Sequence, residues 1–539
     1  MGNGLGRSLG VAMEGNGMTT MVRCVLLGAL LGAVGMSCAA AVPVPAIDPR
    51  GIVGTVVLTA TIDAPDVVLE AFAAAAGGRR ARVAVVHAEA MSGTALASRL
   101  RSEVAEVTEV TLADPGSGTA ALDVPSGLWF TGGSTAGWVR RLRDGALGER
   151  VRRVMRAGGA VGGGPEWSAA VGSGWFERDD SPRVSAGGAA LAPGLIVETR
   201  PGGNRLQRAL TGSPTLVGLC LPAEGAAVVR GRELRVVGAG AARVRFGATE
   251  GFPSDEWEVG AARRVADLVS ARRTALQRMA RPFPPPMPSK PVVENGSLVI
   301  VGGGGSGREI IERFVKLAGG SEAIIAVIPI SMPDPLPERD PAGEAFRRMG
   351  AREVVEIRGR TPGEVDRPEV LALLRRATGV WYGGGRQWRF VDAYEGTQAQ
   401  QLIQNVLLHG GVIGGSSAGA SIQGDYLARG NPLGPNEIMA EGYERGFGYL
   451  KGVAIDQHFT QRRRFADLAS LIRKRPQLLG IGLDEGTAIV VRGSTAEVIG
   501  RTRICIYDAQ RKPQPGPEDF ISAPVGSRLN LVTRAVLPP

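Results

Sequence analysis

Ser417 is the residue whose surroundings say most about chemistry. It sits in Gly415-Ser416-Ser417-Ala418-Gly419, between an apolar β-type stretch at 411–414 and a helix-compatible run. This is the G-x-S-x-G nucleophile elbow, a tight strand-to-helix turn that pushes a serine hydroxyl out for attack. Such a serine needs a base, and the chain has three histidines, His87, His409 and His458. His458 follows an apolar strand at 453–456, and strand C-terminal ends are where sites form in open α/β sheets. His409 falls at a helix end and His87 in the other half of the chain. A base needs a third group to orient it, and Asp484-Glu485 supplies two carboxylates after another strand, 479–483. The oxyanion needs fixed backbone donors. Ala418, next to the serine, is one, and Gly385 in the Gly383-Gly384-Gly385 turn is the other.

The elbow has a counterpart 252 residues earlier, where Gly162-Gly163-Gly164-Pro165-Glu166 puts proline in place of Ser417. Trp129-Phe130-Thr131-Gly132-Gly133 matches Trp381-Tyr382-Gly383-Gly384-Gly385 at the same offset. Gly218 to Gly231 matches Gly480 to Gly493 at 262, and Ala75-Ala76-Gly77-Gly78 matches Leu317-Ala318-Gly319-Gly320 at 242. Two copies of one unit explain this pattern. The first has Arg200 where the second has His458, and Pro222-Ala223 where the second has Asp484-Glu485. Nucleophile, base and carboxylate are lost together, which adds weight to position 485 and makes the first copy a disarmed one.

With 539 residues, two domains are expected. Each half alternates strand and helix patterns, so the fold class is α/β, with a mostly parallel sheet, helices on both faces and an antiparallel edge from the closely spaced late strands. We place a degenerate domain at 50–280, a Pro-rich linker at 281–291 and a catalytic domain at 292–539. Residues 1–45 read as an export signal and leader: Arg23, an apolar run at 24–36, then small residues around Cys38. The run is too short for a membrane span. Cys38 offers a site for a lipid anchor, and Met18 and Met21 are alternative starts. The expected location is periplasmic or extracellular. Removal of that segment leaves Cys220 and Cys505, which permit one disulfide without requiring it. The net charge of +10 suits acidic partners, and no nucleic-acid-binding motif accompanies it. Gly302 to Gly307 lacks the acidic partner of a dinucleotide loop.

Together, Ile455-Asp456-Gln457-His458-Phe459 with Arg462 and Arg464, the elbow, Gly384-Gly385-Arg386-Gln387 and Gly480 to Ala488 resemble the cyanophycinases, serine peptidases of family S51 in the dipeptidase E-like group. The resemblance covers about residues 290 to 510, and the first half more weakly. It implies tandem flavodoxin-like domains similar to class I glutamine amidotransferase domains, and a Ser417, His458, Glu485 triad with no metal or organic cofactor. The implied substrate is cyanophycin, a polyaspartate carrying arginine, cut to β-Asp-Arg dipeptides. Gln387, Asp456, Gln457, Arg462 and Arg464 are the implied substrate-binding residues. The arginines would take carboxylates and Asp456 a guanidinium. Asp467 and Arg386 depart from the family pattern. Two other readings stay open: an aspartyl or isoaspartyl dipeptidase of the same group, and a non-catalytic binding protein. Such peptidases often pair, so the chain is expected to form an intrachain pseudo-dimer or a homodimer.

Overall fold

The computed structural model describes residues 46–89, 95–112, 125–178, 181–200, 202–261, 263–511 and 519–538. The expected export signal, with Cys38, lies outside them. No helix among the described residues is long and apolar enough to cross a membrane.

The larger sheet of the second half has nine strands. Glu353–Glu356, Ile324–Ile328, Gly379–Tyr382, Val412–Ser416 and Val293–Val301 lie side by side and parallel. Thr487–Gly493, Thr495–Gly500, Arg528–Asn530 and Ala535–Leu537 extend it antiparallel. Strand Val293–Val301 shows why helices must cover both faces. Its side chains alternate, so Leu298 and Ile300 enter one core while Val299 and Val301 enter the other. Helix Arg308–Leu317 meets the second face with Ile310, Ile311, Phe314 and Val315, a one-sided stripe at helical spacing. Helix Gln398–Leu408 covers the first face with Ile403, Val406 and Leu407.

The first half repeats this plan. Five parallel strands, Glu106–Thr111, Arg82–His87, Gly127–Thr131, Ala160–Gly163 and Ile52–Thr59, belong to an eight-stranded sheet with an antiparallel extension. The strand registers carry the sequence offsets exposed above. Trp381 pairs with Gly414 as Trp129 pairs with Gly162, both at 252. Leu298 pairs with Val491 as Val56 pairs with Val229, at 242 and 262. Insertions in the loops therefore left the pairing intact.

The strand pattern did not separate a second sheet in each half. Leu450–Gln457 and Leu479–Leu483 belong to a five-stranded sheet with Gly424–Tyr426, Arg503–Asp508 and Ile521–Pro524. Its first-half equivalent has six strands. Ile455, Ile481 and Leu483 share a core with Leu298 and Ile300, so the two sheets of the second half are joined through one apolar cluster. That packing brings the C-terminal ends of strands from two sheets together. The Pro-rich segment is seated on the second half: Phe283 stacks on Tyr426 and Gln477 donates to the Pro284 and Pro285 carbonyls. Cys220 and Cys505 lie in different sheets and form no disulfide.

Candidate active site

Ser417 follows the last residue of strand Val412–Ser416 and holds φ 56°, ψ −112°. This is a left-handed conformation that a side-chain-bearing residue keeps only when its surroundings impose it. Its N–H is bound by Val301 O at 3.0 Å. A Cβ on Gly415 would strike Gly419, and one on Gly419 would strike Tyr382 O. The glycines of the elbow are thus required by space.

His458 follows strand Leu450–Gln457, also at positive φ (50°), with its N–H on Gly302 O at 2.7 Å. Its Nε2 lies 2.8 Å from Ser417 Oγ and its Nδ1 2.6 Å from Glu485 Oε1. A carboxylate oxygen accepts, so Nδ1 carries the proton and Nε2 is left to accept from the serine hydroxyl. Burial lowers the imidazole pKa below its ordinary value; Arg462 adds to this and the bond to Glu485 opposes it. The base is therefore neutral, and able to accept, at neutral pH.

The two adjacent carboxylates divide their work. Asp484 accepts from Thr460 N at 3.0 Å and Thr502 Oγ1 at 3.2 Å, tying loops together. Glu485 turns to the histidine, and its own N–H donates to Gln461 Oε1 at 3.0 Å. The glycine run after strand Val293–Val301 is what makes room. A Cβ on Gly303 would enter the His458 ring, and one on Gly304 would meet the Glu485 side chain. Sequence reasoning had given this run no role; its place after a strand in the parallel core was the available signal.

The Gly383-Gly384-Gly385 turn faces the serine, and a Cβ added at Gly384 would touch the Ser417 side chain at van der Waals distance. Ser331 Oγ donates to the carbonyls of Gly383 and Gly384. C=O and N–H point opposite ways across a trans peptide, so the Gly384 and Gly385 N–H groups are directed away from Ser331. Ser331 is a supporting residue that its distance in sequence concealed.

A cavity of about 210 Å3 opens at Ser417, lined by Gly385, Arg386, Gln387, Arg429, Pro435, Gln457, Arg462 and Arg464. Four of these are arginines and none is a carboxylate. Gln457 Oε1 and Arg386 Nε are buried with no hydrogen-bond partner. Gln387 uses its amide N–H groups on the carbonyls of Ala428 and Arg429, so it shapes the wall. The expectation for Asp456 needs correction. It is fully buried and absent from the lining. Its carboxylate is taken by Arg429 Nε and Nη2 at 3.0 Å and by Arg464 Nη1 at 2.8 Å. A buried charge must be paired, and the chain's own guanidinium groups do this before a substrate's could. Asp467, half-exposed, also accepts from Arg429 at 2.7 Å. Arg429 was not foreseen; the need of a buried Asp456 for a cation was the only signal for it.

An α/β fold that aims a strained serine at a histidine and a carboxylate, at the ends of strands from two sheets, defines a serine-type hydrolase. The family model for peptidase family S51 matches residues 298–499. A cyanophycinase from Geminocystis herdmanii is 35% identical over 223 residues, covering 40% of this chain and 81% of that protein. A cyanophycinase from Trichormus variabilis is 30% identical over 270 residues, covering 46% and 90%. The crystal structure of a peptidase from an acI-B1 Actinobacterium aligns with 44% of this chain and 97% of its own at 21% identity, with a TM-score of 0.34. The chain belongs to peptidase family S51.

Proposed function

We propose that the second half hydrolyses cyanophycin or a closely similar polymer to β-Asp-Arg dipeptides, and that the first half is non-catalytic. The carrying observation is the continuous Ser417–His458–Glu485 hydrogen-bond chain opening into an arginine-lined cavity. In this reading Ser417 Oγ attacks the scissile carbonyl carbon while His458 Nε2 takes its proton. The Ala418 and Gly385 N–H groups hold the oxyanion. His458 then gives the proton to the leaving amine, and water, deprotonated by the same nitrogen, releases the acyl group. Glu485 holds the imidazole in register throughout. Arg462 and Arg464 meet substrate carboxylates by charge-assisted hydrogen bonds, and the unpartnered Gln457 Oε1 is an acceptor suited to a guanidinium N–H.

One observation favours a second reading, an aspartyl or isoaspartyl dipeptidase: the lining offers no carboxylate for an arginine side chain. Incubation with cyanophycin and with isoaspartyl dipeptides separates the two. Release of soluble β-Asp-Arg by the wild type and not by Ser417→Ala supports the first; cleavage of dipeptides alone supports the second. We also propose export directed by residues 1–45. Sequencing the mature N-terminus tests it: cleavage near Cys38 is expected, and an uncleaved start at Met1, Met18 or Met21 would contradict it.

A further inference from the structure

The two backbone segments that face Ser417 are gripped at their far side by arginines from the first half. One is the Gly383-Gly384-Gly385 turn with the helix Trp388–Tyr394 that follows it. The other is residues 429–443, which carry Arg429 and Pro435 and receive Arg386 on the Asn431 carbonyl. Arg232, between strands Gly225–Gly231 and Glu233–Gly238, reaches both. Its guanidinium lies 4.4 Å over the Trp388 ring, one residue after Gln387. It donates to Asp392 in the same helix, and to Tyr443 Oη at 2.6 Å at the end of the other segment. Tyr443 Oη in turn donates to Asp392 at 2.6 Å. Asp267 of the first half fixes Arg232 with two bonds, at 2.8 and 3.1 Å. A second arginine repeats the arrangement. Arg273 of helix Leu268–Arg278 donates to Gly442 O at 2.8 Å and to Glu395, and lies 4.7 Å over the Tyr443 ring.

We propose that Arg232 and Arg273 are positioning residues for the reaction, through which the first half sets the spacing between the oxyanion turn and the 429–443 wall. This rests on the reading of Ser417 as nucleophile. A planar guanidinium that is stacked and bonded on several edges fixes orientation as well as distance. A 1 Å misplacement at a reacting centre costs rate even when no catalytic group is touched. Before Gly442 the segment borders a cavity of about 620 Å3 lined by Trp257, Asp267, Asn431, Glu437 and Glu441, across which Trp257 Nε1 donates to Glu441 Oε2 at 3.3 Å. The first half therefore holds this segment at residues 441–443, chiefly through the two arginines.

The test uses the full chain and a fluorophosphonate, so it does not depend on the identity of the peptide substrate. Arg232→Met leaves Asp267 buried without its cation and Asp392 with only Arg273 Nη1 at 3.9 Å, which risks folding. The triple variant Arg232→Met, Asp267→Asn, Asp392→Asn removes the three charges together, and asparagine retains the helix cap at 267. In the folded triple variant the labelling rate of Ser417 should fall about tenfold or more. Its acid limb should keep the wild-type pH, because His458 and Glu485 are untouched. Amide exchange should quicken in 383–394 and 429–443, and not in Ile324–Ile328. Labelling within twofold of wild type would overturn the proposal, whether or not exchange changes. A wild type that labels but leaves cyanophycin intact would overturn the substrate assignment and not this one.

Discussion

The two halves share strand registers, and both keep a positive-φ glycine in the turn after the Trp129/Trp381 strand (Gly133 at φ 75°, Gly385 at φ 143°), yet they differ at the elbow and beside the histidine and carboxylate. At the elbow the second half holds Ser417 at φ 56°, whereas the first has at that position Pro165, the first residue of helix Pro165–Ala170. Proline's ring fixes φ near −65°, so the strained turn cannot form there, and proline instead suits a first helical position. Gly303 and Gly304, at φ 100° and 66°, clear space for the histidine and the carboxylate. At the 242 offset the first half has Thr61 and Ile62, neither at positive φ. The buried acid survives: Glu198 stands where Asp456 does and pairs with Arg205 at 2.5 Å. The halves differ at the three positions of the proposed triad and at the two glycines beside its histidine and carboxylate. The packing that organises the sheet ends was kept.

Ser417→Ala should lower turnover by roughly 10⁴-fold or more, and His458→Ala by about as much, since a triad acts as one unit. Near-normal turnover in either would sink the assignment. Conversely, Pro165→Ser, alone or with Arg200→His and Ala223→Glu, should give no activity in a Ser417→Ala background, because Thr61 and Ile62 do not hold the positive φ of Gly303 and Gly304 and carry side chains where those glycines have none. Measurable turnover there would mean that the backbone difference is immaterial. Separation of the halves comes next. The segment 288–539 should melt well below the full chain, because it loses the partners of Asp392, Glu395 and Tyr443. Equal melting and equal activity would make the first half dispensable.

Arg462→Ala should cut kcat/KM for β-Asp-Arg material by about 10- to 100-fold, the scale of one hydrogen bond to a charged group. A neutral ester should suffer less, and equal loss on both would point to misfolding. The acid limb carries the smallest effect. His458 works when neutral, and burial lowers its pKa, so activity should persist below the ordinary imidazole value of about 6.5 and vanish as pH falls through the lowered one. Because Arg462 contributes to that lowering, Arg462→Ala should move the limb to higher pH. A shift to lower pH would contradict the geometry.

The elbow, His458 and the D-E pair were legible in the sequence because each is a local feature: a glycine pattern, one of three histidines, a strand end. The duplication was legible too, since its offsets survive in the registers. Asp456 was misjudged because its partner Arg429 lies 27 residues away, and burial is a tertiary property. Ser331, the Gly303-Gly304 run and Arg232 act across 52, 155 and 160 residues, so no local pattern reports them. The split into two sheets escaped for the same reason, because strand periodicity does not say which neighbour a strand chooses.

The central claim is that one half acts, through Ser417. The most direct measurement is mass spectrometry of the full chain after saturation with a fluorophosphonate, with the label mapped to a peptide. The account predicts one adduct per chain, on Ser417, lost in His458→Ala and never found in residues 50–280. An adduct on a first-half residue, or an active enzyme with Ser417 unlabelled, would contradict it.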